Sequence, residues 1–236
     1  MKSTRVGLLL MLLSMSLSEV VSLSFLVSTG GKLASESIAS PFNIATILVS
    51  FLEPVALLLE IIAIIIVVSD SKRLTETGIH RRLALTAGLL FIAWAILNFI
   101  VYLPLSLLGM KTGSLQSVRL ALATKTIAAL FQYSIPFLLV YGIASDSRIK
   151  LALWVALILT ILGGLEVIVT PITGVGLKQV AVQGNKFYVP RYEIDYTSWP
   201  YPVFLVLSHS GGILYMLVYA TMIRKLSSIR QPYHHY

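Results

Sequence analysis

Hydrophobic residues gather in six long segments along the chain, and short polar stretches separate them. The segments are approximately 5–28, 42–68, 83–108, 119–143, 151–172 and 203–223. A helix needs about 20 mainly apolar residues to cross the hydrocarbon core of a bilayer, because each residue advances it by about 1.5 Å. The pattern therefore predicts an all-α fold: a polytopic integral membrane bundle of six transmembrane helices that forms a single domain over residues 1–236.

One connection is long enough to have structure of its own. Residues 173–202 precede the sixth segment and contain two β-prone runs on either side of Gly184 and Asn185. Such a pair between β-prone runs predicts a short β-hairpin. The aromatic residues that follow, Tyr196, Trp199 and Tyr201, are typical of a belt at the membrane interface, and a lid over a ligand is the alternative.

The composition supports a membrane protein. Hydrophobic residues make up 57% of the chain and charged residues 12%, with a mean hydropathy of +0.88. An average globular protein has about 25% charged residues, so a water-soluble domain is excluded, and a disordered chain lacks this much apolar surface. The absence of cysteine excludes disulfides, thiolate metal sites, iron–sulfur clusters and a cysteine nucleophile.

The positive charges indicate an orientation. Basic residues number eleven on the side that holds both termini and the loops 69–82 and 145–150, against five on the opposite side. Cytoplasmic loops carry an excess of Lys and Arg, so we predict a multi-pass protein of the cell membrane with cytoplasmic N- and C-termini and an external 173–202 loop. This topology accounts for much of the net charge of +8, and we expect no nucleic-acid partner.

The first segment has a second interpretation. Lys2 and Arg5 precede an apolar run, as in a cleaved signal peptide. The apolar character continues as far as Val27, however, which is long for such a peptide. We therefore predict a retained first helix, and its removal would leave five spans.

Several polar side chains lie within the hydrophobic segments. The ionisable ones proposed to handle ions or protons are Glu19, Glu53, Lys125, Glu166 and His209, and the supporting polar ones are Glu60, Asn98 and Gln132. A central Asp or Lys costs about 2.5–3.5 kcal/mol on translocon scales. We therefore expect these groups to face the interior of the bundle and not the lipid.

Their depths predict a common layer. At about 1.5 Å per residue from the external ends, the depths are about 9 Å for Glu166, His209 and Lys125, about 13 Å for Glu19, about 15 Å for Glu53 and Asn98, and about 25 Å for Glu60. The seven-residue spacing of Glu53 and Glu60, repeated by Lys125 and Gln132, places each pair on one helix face. The count predicts one polar site in the outer half of the membrane, with Lys125 reaching Glu53 or Glu166 and Glu60 alone nearer the cytoplasm.

Glycine and proline near these groups have simpler explanations. Gly211 and Gly212 follow His209, which predicts close helix packing with the histidine hydrogen-bonded to a neighbouring helix. Pro54 and Pro136 each remove an amide donor and predict kinks, which serve either packing or a site.

The polar groups favour one function over two alternatives. Glu19, Glu53 and Glu166 against Lys125 leave two negative charges in a low dielectric, so we expect a shared proton or cation. The leading hypothesis is a membrane protein that handles protons or small cations or solutes. The alternative is a non-catalytic hydrophobic subunit of a larger membrane complex, for example a respiratory one. A membrane-embedded enzyme acting on lipid or quinone ranks third.

Enzymatic activity is disfavoured because no nucleophile or metal set emerges from the sequence. We assign no catalytic residue, no metal site and no cofactor. Haem usually takes two axial side chains, and His209 is the only histidine within a segment, while His80 falls in the loop before the third one. The expected partners are the bilayer and other membrane subunits.

Overall fold

The computed structural model describes residues 2–29, 44–71, 78–165, 169, 173, 177–182, 189–194 and 199–228. The helices are α1 (Lys2–Thr29), α2 (Ile44–Asp70), α3 (Ile79–Ala95), α4 (Leu103–Thr112), α5 (Leu115–Tyr141), α6 (Ser147–Gly163) and α7 (Tyr201–Ser228), and a π-helical segment (Ile96–Tyr102) joins α3 to α4. Apolar segments become helices because a helix satisfies its own backbone hydrogen bonds in lipid.

Five helical stretches are long and apolar enough to cross a membrane. They are Ser3–Ser24, Phe51–Asp70, Ile79–Gly109, Leu115–Tyr141 and Tyr201–Ser227. The predicted helical character is thus confirmed, and five helices of this length and apolarity are compatible with the predicted membrane protein. The described part of α6 has 17 residues and ends at Gly163, whereas the predicted fifth segment continues to residue 172. Its crossing of the membrane stays a prediction, as does the number of six spans.

Two short strands follow α6 in the chain. Strands β1 (Leu177–Val182) and β2 (Val189–Ile194) pair antiparallel, with Leu177 opposite Ile194 and Val182 opposite Val189. Residues 183–188, which include the predicted turn at Gly184 and Asn185, lie outside the described residues. The hairpin as a whole therefore stays a prediction.

The third predicted segment is longer and less regular than expected. It forms one rod from Ile79 to Thr112, and its π-helical turn shows a bond from the Leu103 N–H to the Asn98 carbonyl, five residues back. Pro104 follows directly and has no N–H to donate, which disfavours a regular α-helical turn at this place. Gly113, with φ of 64°, ends the rod and allows the sharp turn into α5.

The helices form a closed ring in the described part of the chain. Helix α1 packs against α2 and α7, α2 packs against α3, α3 against α5, α5 against α6, and α6 against α7. Glycine permits close contact between α6 and α7, because a Cβ at Gly211 would lie 2.8 Å from the Thr160 amide nitrogen and 3.0 Å from the Ala156 carbonyl. Close packing at Gly211 is therefore confirmed, and it is typical of small residues between membrane helices.

The hydrophobic core occupies one end of this ring. We call it the Thr4 end, and it contains the starts of α1, α3 and α6 and the ends of α2, α5 and α7. Fully or almost fully buried apolar residues there include Leu8, Met11, Val67, Leu139, Leu153 and Tyr219. This end is tightly packed, so space for a site lies in the middle and toward the opposite end.

Polar contacts tie the helix ends together at the Thr4 end. The Thr4 amide donates to Asp70 Oδ2 over 3.0 Å, and the Thr4 hydroxyl donates to the same oxygen. Lys225 Nζ lies 2.7 Å from Asp146 Oδ2, which connects the end of α7 to the start of α6. These contacts fix α1 to α2 and α6 to α7.

His80 is placed differently from the expectation that it lies in a loop. It belongs to the first turn of α3 and is fully buried, because the left-handed conformation of Gly78 lets the helix begin at Ile79. The backbone of Gly142 packs closely on it: a Cβ there would lie 2.7 Å from His80 Cα. Neither ring nitrogen has a hydrogen-bond partner among the described residues.

Asp146 is expected to stabilise the fold in a pH-dependent way. The hydrogen bond from Lys225 holds the pKa of Asp146 below its ordinary value of 3.8, and the Arg148 amide, which Asp146 caps at 2.9 Å, acts in the same direction. A lowered folded pKa means that this stabilisation is present above pH 3.8 and is lost as the pH falls through the folded pKa. Thermal unfolding of the wild type and Asp146→Asn in detergent should show a small difference near neutral pH that disappears in acid. A difference that does not change with pH would contradict this assignment, since Asn keeps the cap but not the charge.

Two tyrosines of α7 bind carbonyl groups of α5 around Pro136. The Tyr219 hydroxyl donates to the Pro136 carbonyl over 2.8 Å, and the Tyr215 hydroxyl donates to the Tyr133 carbonyl over 3.1 Å. Hydroxyl donors from α7 thus support α5 at its proline.

Tyr219→Phe should therefore lower the stability by about 1–2 kcal/mol, because a buried hydrogen bond is lost. The change is measured as a lower thermal midpoint of the purified protein in detergent. Tyr141→Phe is the matched control, since the Tyr141 hydroxyl makes no hydrogen bond with another described residue. Equal midpoints for the two variants would contradict the role of the Tyr219 hydroxyl.

Candidate functional site

The clearest ionisable pair connects the first and last helices. His209 Nδ1 on α7 lies 2.6 Å from Glu19 Oε2 on α1, and both side chains are about four-fifths buried, with exposures of 17% and 20%. Gly212 makes room for this contact, because a Cβ at that position would overlap Glu19 Oε1. The predicted hydrogen bond from His209 to a neighbouring helix is thus present, and its partner is a carboxylate.

The second ring nitrogen of His209 is buried and unpaired. No described residue accepts or donates a hydrogen bond at Nε2. A neutral imidazole has one donor and one acceptor nitrogen, and the contact with Glu19 engages Nδ1. The pair therefore keeps a free position at which a proton can be taken up or released.

Glu60 is another carboxyl group inside the bundle, and it is not alone. Its side chain is 7% exposed and forms a hydrogen bond with the side chain of Gln132 on α5. Both helices begin at the same end of the bundle, and the two residues lie about 24 Å and 26 Å along them. Equal depth brings them together, although the depth count had separated Glu60 from every other group.

A small cavity connects the two polar pairs. It has a volume of about 180 Å³, and both Glu19 and Glu60 line it. The other polar side chains of its wall are Ser14, Ser18, Gln132, Tyr133, Thr160, Ser208 and Tyr215. Carboxyl, hydroxyl and amide groups thus line the same cavity, which lies between Glu19, the partner of His209, and Gln132.

A larger cavity adjoins the small one. Its volume is about 600 Å³, and it is lined by Ser18, Glu53, Pro54, Leu57, Glu60, Trp94, Asn98, Phe99, Tyr102, Leu103 and Gln132. Ser18, Glu60 and Gln132 belong to the walls of both cavities. Glu60 therefore stands where a group could exchange protons with either space.

The predicted site is brought together only in part. Residues on or beside the two cavities are Glu19, Glu53, Glu60, Asn98, Gln132 and His209. Glu166 lies outside the described residues. Lys125 lines neither cavity and forms no ion pair with another described residue; its Nζ lies 5.8 Å from the centroid of the Tyr102 ring. The expected contact between Lys125 and Glu53 is absent from the described part of the chain.

Lys125 does not meet the expectation that all charged side chains face inward, and Glu53 meets it only in part. Glu53 and Lys125 are both exposed in the isolated chain. Glu53 lies on the wall of the larger cavity and is reached from the surface, and Lys125 extends along an aromatic ring. The expectation fails because hydrophobic residues surround these helices on every side, so the sequence does not indicate which face is inside.

Sequence reasoning missed part of the site. Ser14 and Ser18 lie one turn apart on α1, and the Ser14 hydroxyl donates to the Ala56 carbonyl over 2.7 Å. The π-helical turn carries Phe99 and Tyr102 into the larger cavity, beside the predicted Asn98. The four-residue spacing of the serines and the proline at 104 were the available signals.

Neither a metal-binding arrangement nor a comparison with known proteins assigns a function to this site. No group of three His, Cys, Asp or Glu side chains in the described ranges converges in a way that could hold a metal ion. No protein-family model matches the chain, and no curated protein and no solved structure matches it either.

Proposed function

We propose that this protein moves protons or small cations within the membrane through its buried carboxyl and imidazole groups. The observation that supports the proposal best is that the Glu19–His209 pair and the Glu60–Gln132 pair adjoin the same small cavity. Ionisable residues inside membrane helices are costly, and where they are kept they commonly mark proton relays or ion pathways.

The proposed path uses the order of the groups along the cavities. Glu53 is the exposed acceptor, Glu60 stands at the junction of the two cavities, and Glu19 with His209 forms the buried end. The serine hydroxyls and the Gln132 amide offer hydrogen-bond partners to water between the carboxyl groups. Lys125 has a proposed role as a fixed counter-charge, and Glu166, which lies outside the described residues, keeps its predicted share in the exchange of protons or cations.

The proposed orientation opens this path to the external side. With six spans and cytoplasmic termini, the packed Thr4 end lies on the cytoplasmic side of the cell membrane. The hydrophobic core at that end would then seal the inner half, and the carboxyl groups would be reached from outside. Movement across the whole membrane would need a second conformation in which the Thr4 end opens.

Reconstitution of the purified full chain tests the function. Liposomes with a pH-sensitive dye inside receive a potassium diffusion potential, and dye fluorescence reports the entry of protons. We expect a rate well above that of empty liposomes. A rate equal to that of empty liposomes, both with and without sodium or potassium gradients, would reject proton movement and the exchange of sodium or potassium for protons.

A second candidate function is supported by the exposed charge of Lys125. Lys125 lies about 15 Å from the start of α5 and lines neither cavity, and a charge that faces lipid at such depth is unfavourable. A neighbouring subunit that covers it would remove this cost, as in a hydrophobic subunit of a larger membrane complex. Purification in mild detergent from native membranes distinguishes the two: stoichiometric partner chains favour the subunit, and a single species favours the autonomous protein.

A further inference from the structure

The larger cavity combines an aromatic wall with an acidic one. Trp94, Phe99 and Tyr102 line it from the rod formed by α3 and the π-helical turn. Glu53, Leu57 and Glu60 line it from α2, where spacings of four and three residues place them on one helix face. Aromatic rings and carboxyl groups therefore face the same space of about 600 Å³.

The aromatic wall is ordered by its own contacts. Trp94 and Phe99 meet edge to face, with ring centroids 6.2 Å apart and an interplanar angle of 84°. Such pairs hold rings in a fixed orientation, and ring faces carry negative electrostatic potential that attracts cations. The Tyr102 ring already has a cation beside it, the Lys125 ammonium at 5.8 Å from its centroid.

The charge of the wall favours a positively charged occupant. Of the described residues that line the larger cavity, two are Glu, and none is Lys, Arg or His. An anion would be repelled by these carboxyl groups. A bare metal ion would leave the aromatic and leucine side chains unused, and a neutral hydrocarbon would leave the carboxyl group of Glu53 without a counter-charge.

We propose that the larger cavity is a binding site for a hydrophobic organic monocation, a quaternary or protonated amine or a compound of like shape and charge. The carboxyl groups of Glu53 and Glu60 balance its charge, and the rings of Trp94, Phe99 and Tyr102 surround its apolar substituents. The volume lies within the range of about 300–1,000 Å³ typical of small-molecule sites.

The position of the cavity indicates how such a ligand arrives. Glu53 is exposed, Phe99 is 56% exposed, and both line the cavity at the surface of a bundle whose outer face is largely apolar. A hydrophobic cation partitions into the bilayer and can reach this opening from the side. Ligand binding at this site requires no proton movement through Glu19 and His209. A binding measurement at equilibrium therefore tests the site independently of the proposed function.

A pair of ions with one shape and opposite charge tests the site. Tetraphenylphosphonium and tetraphenylborate are titrated separately into the purified full chain in nonionic detergent, and the heat is recorded by calorimetry against detergent blanks. We expect saturable binding of the phosphonium with a stoichiometry near one and no saturable binding of the borate. Absence of saturable phosphonium binding, or equal binding of the two ions, would overturn the proposal.

Variants then locate the site. Glu53→Gln should weaken phosphonium binding by about tenfold, because it removes a carboxylate without burying a new group. Phe99→Leu should weaken it several-fold, whereas the matched control Phe51→Leu, at a residue that is 71% exposed and not on the cavity wall, should leave it unchanged. Equal effects of the two Phe variants, or an unchanged affinity in Glu53→Gln, would show that the phosphonium binds elsewhere and reject the site. If the wild-type protein binds phosphonium but moves no protons in liposomes, the proposed function is rejected and the binding site is not.

Discussion

Glu60→Gln is expected to reduce proton entry into reconstituted liposomes by at least about tenfold, the largest effect of any single replacement in the path. Glutamine keeps the size of the side chain and a hydrogen bond to Gln132, so the fold should persist, but it cannot exchange a proton. The loss should be strong because Glu60 lines both cavities and connects Glu53 with the Glu19–His209 pair. Initial rates of dye quenching under a fixed potassium diffusion potential measure it.

Asp146→Asn is the control for this replacement. It is also a change from acid to amide, but its carboxyl group pairs with Lys225 at the Thr4 end, away from both cavities. We expect near wild-type rates for this variant when equal amounts of protein are reconstituted. Wild-type rates in Glu60→Gln would show that protons do not pass this residue, and equal losses in both variants would show a general effect on the fold.

Gly163→Ala is expected to destabilise the protein by about 2–3 kcal/mol or more, the largest stability effect predicted for a single methyl group. The added Cβ would overlap the backbone of Ser208, with its Cα only 2.6 Å away, so α6 and α7 would have to separate. Ser208 precedes His209, and the separation should also disturb the contact of His209 with Glu19. The measurement is the thermal midpoint, together with the yield of monodisperse protein in detergent.

Gly88→Ala provides the comparison. The nearest atom to a new Cβ at Gly88 would be Val68 Cγ2 at 3.7 Å, which is an ordinary van der Waals distance. Alanine also favours a helix over glycine by up to about 1 kcal/mol, so this variant should be as stable as the wild type or more stable. If Gly163→Ala unfolds at the same temperature as Gly88→Ala, the close approach of α6 and α7 is not as described.

Hydrophobic segment length predicted most of the fold, because lipid requires every backbone group in a span to bond within its own helix. It did not predict the burial of His80, which depends on the left-handed backbone of Gly78 and the approach of Gly142. It also did not predict the π-helical turn, since Pro104 in a sequence indicates either a helix end or an irregular turn.

The site was predictable in its residue types and less so in its geometry. A count of depth along each helix placed Glu19 and His209 at similar heights, and they form a pair. Depth alone does not specify how a helix is rotated about its axis. The helices that carry Glu53 and Lys125 are apolar on nearly every side, so their sequences do not show which face points into the bundle. Gly212 gave a usable signal in hindsight, because a glycine one turn from a buried histidine leaves space for a partner from another helix.

The π-helical turn makes the third rod tolerant of one particular change in chain length. A π turn contains one residue more than the α-helical turn it replaces, so deleting a single residue between Ile96 and Tyr102 would restore regular winding and leave the helices on either side in their present relative orientation. A deletion in the α-helical part of the rod would instead rotate its two halves relative to each other by about 100°. The extra residue thus changes which side chains of the turn meet the larger cavity and leaves the rest of the rod in place.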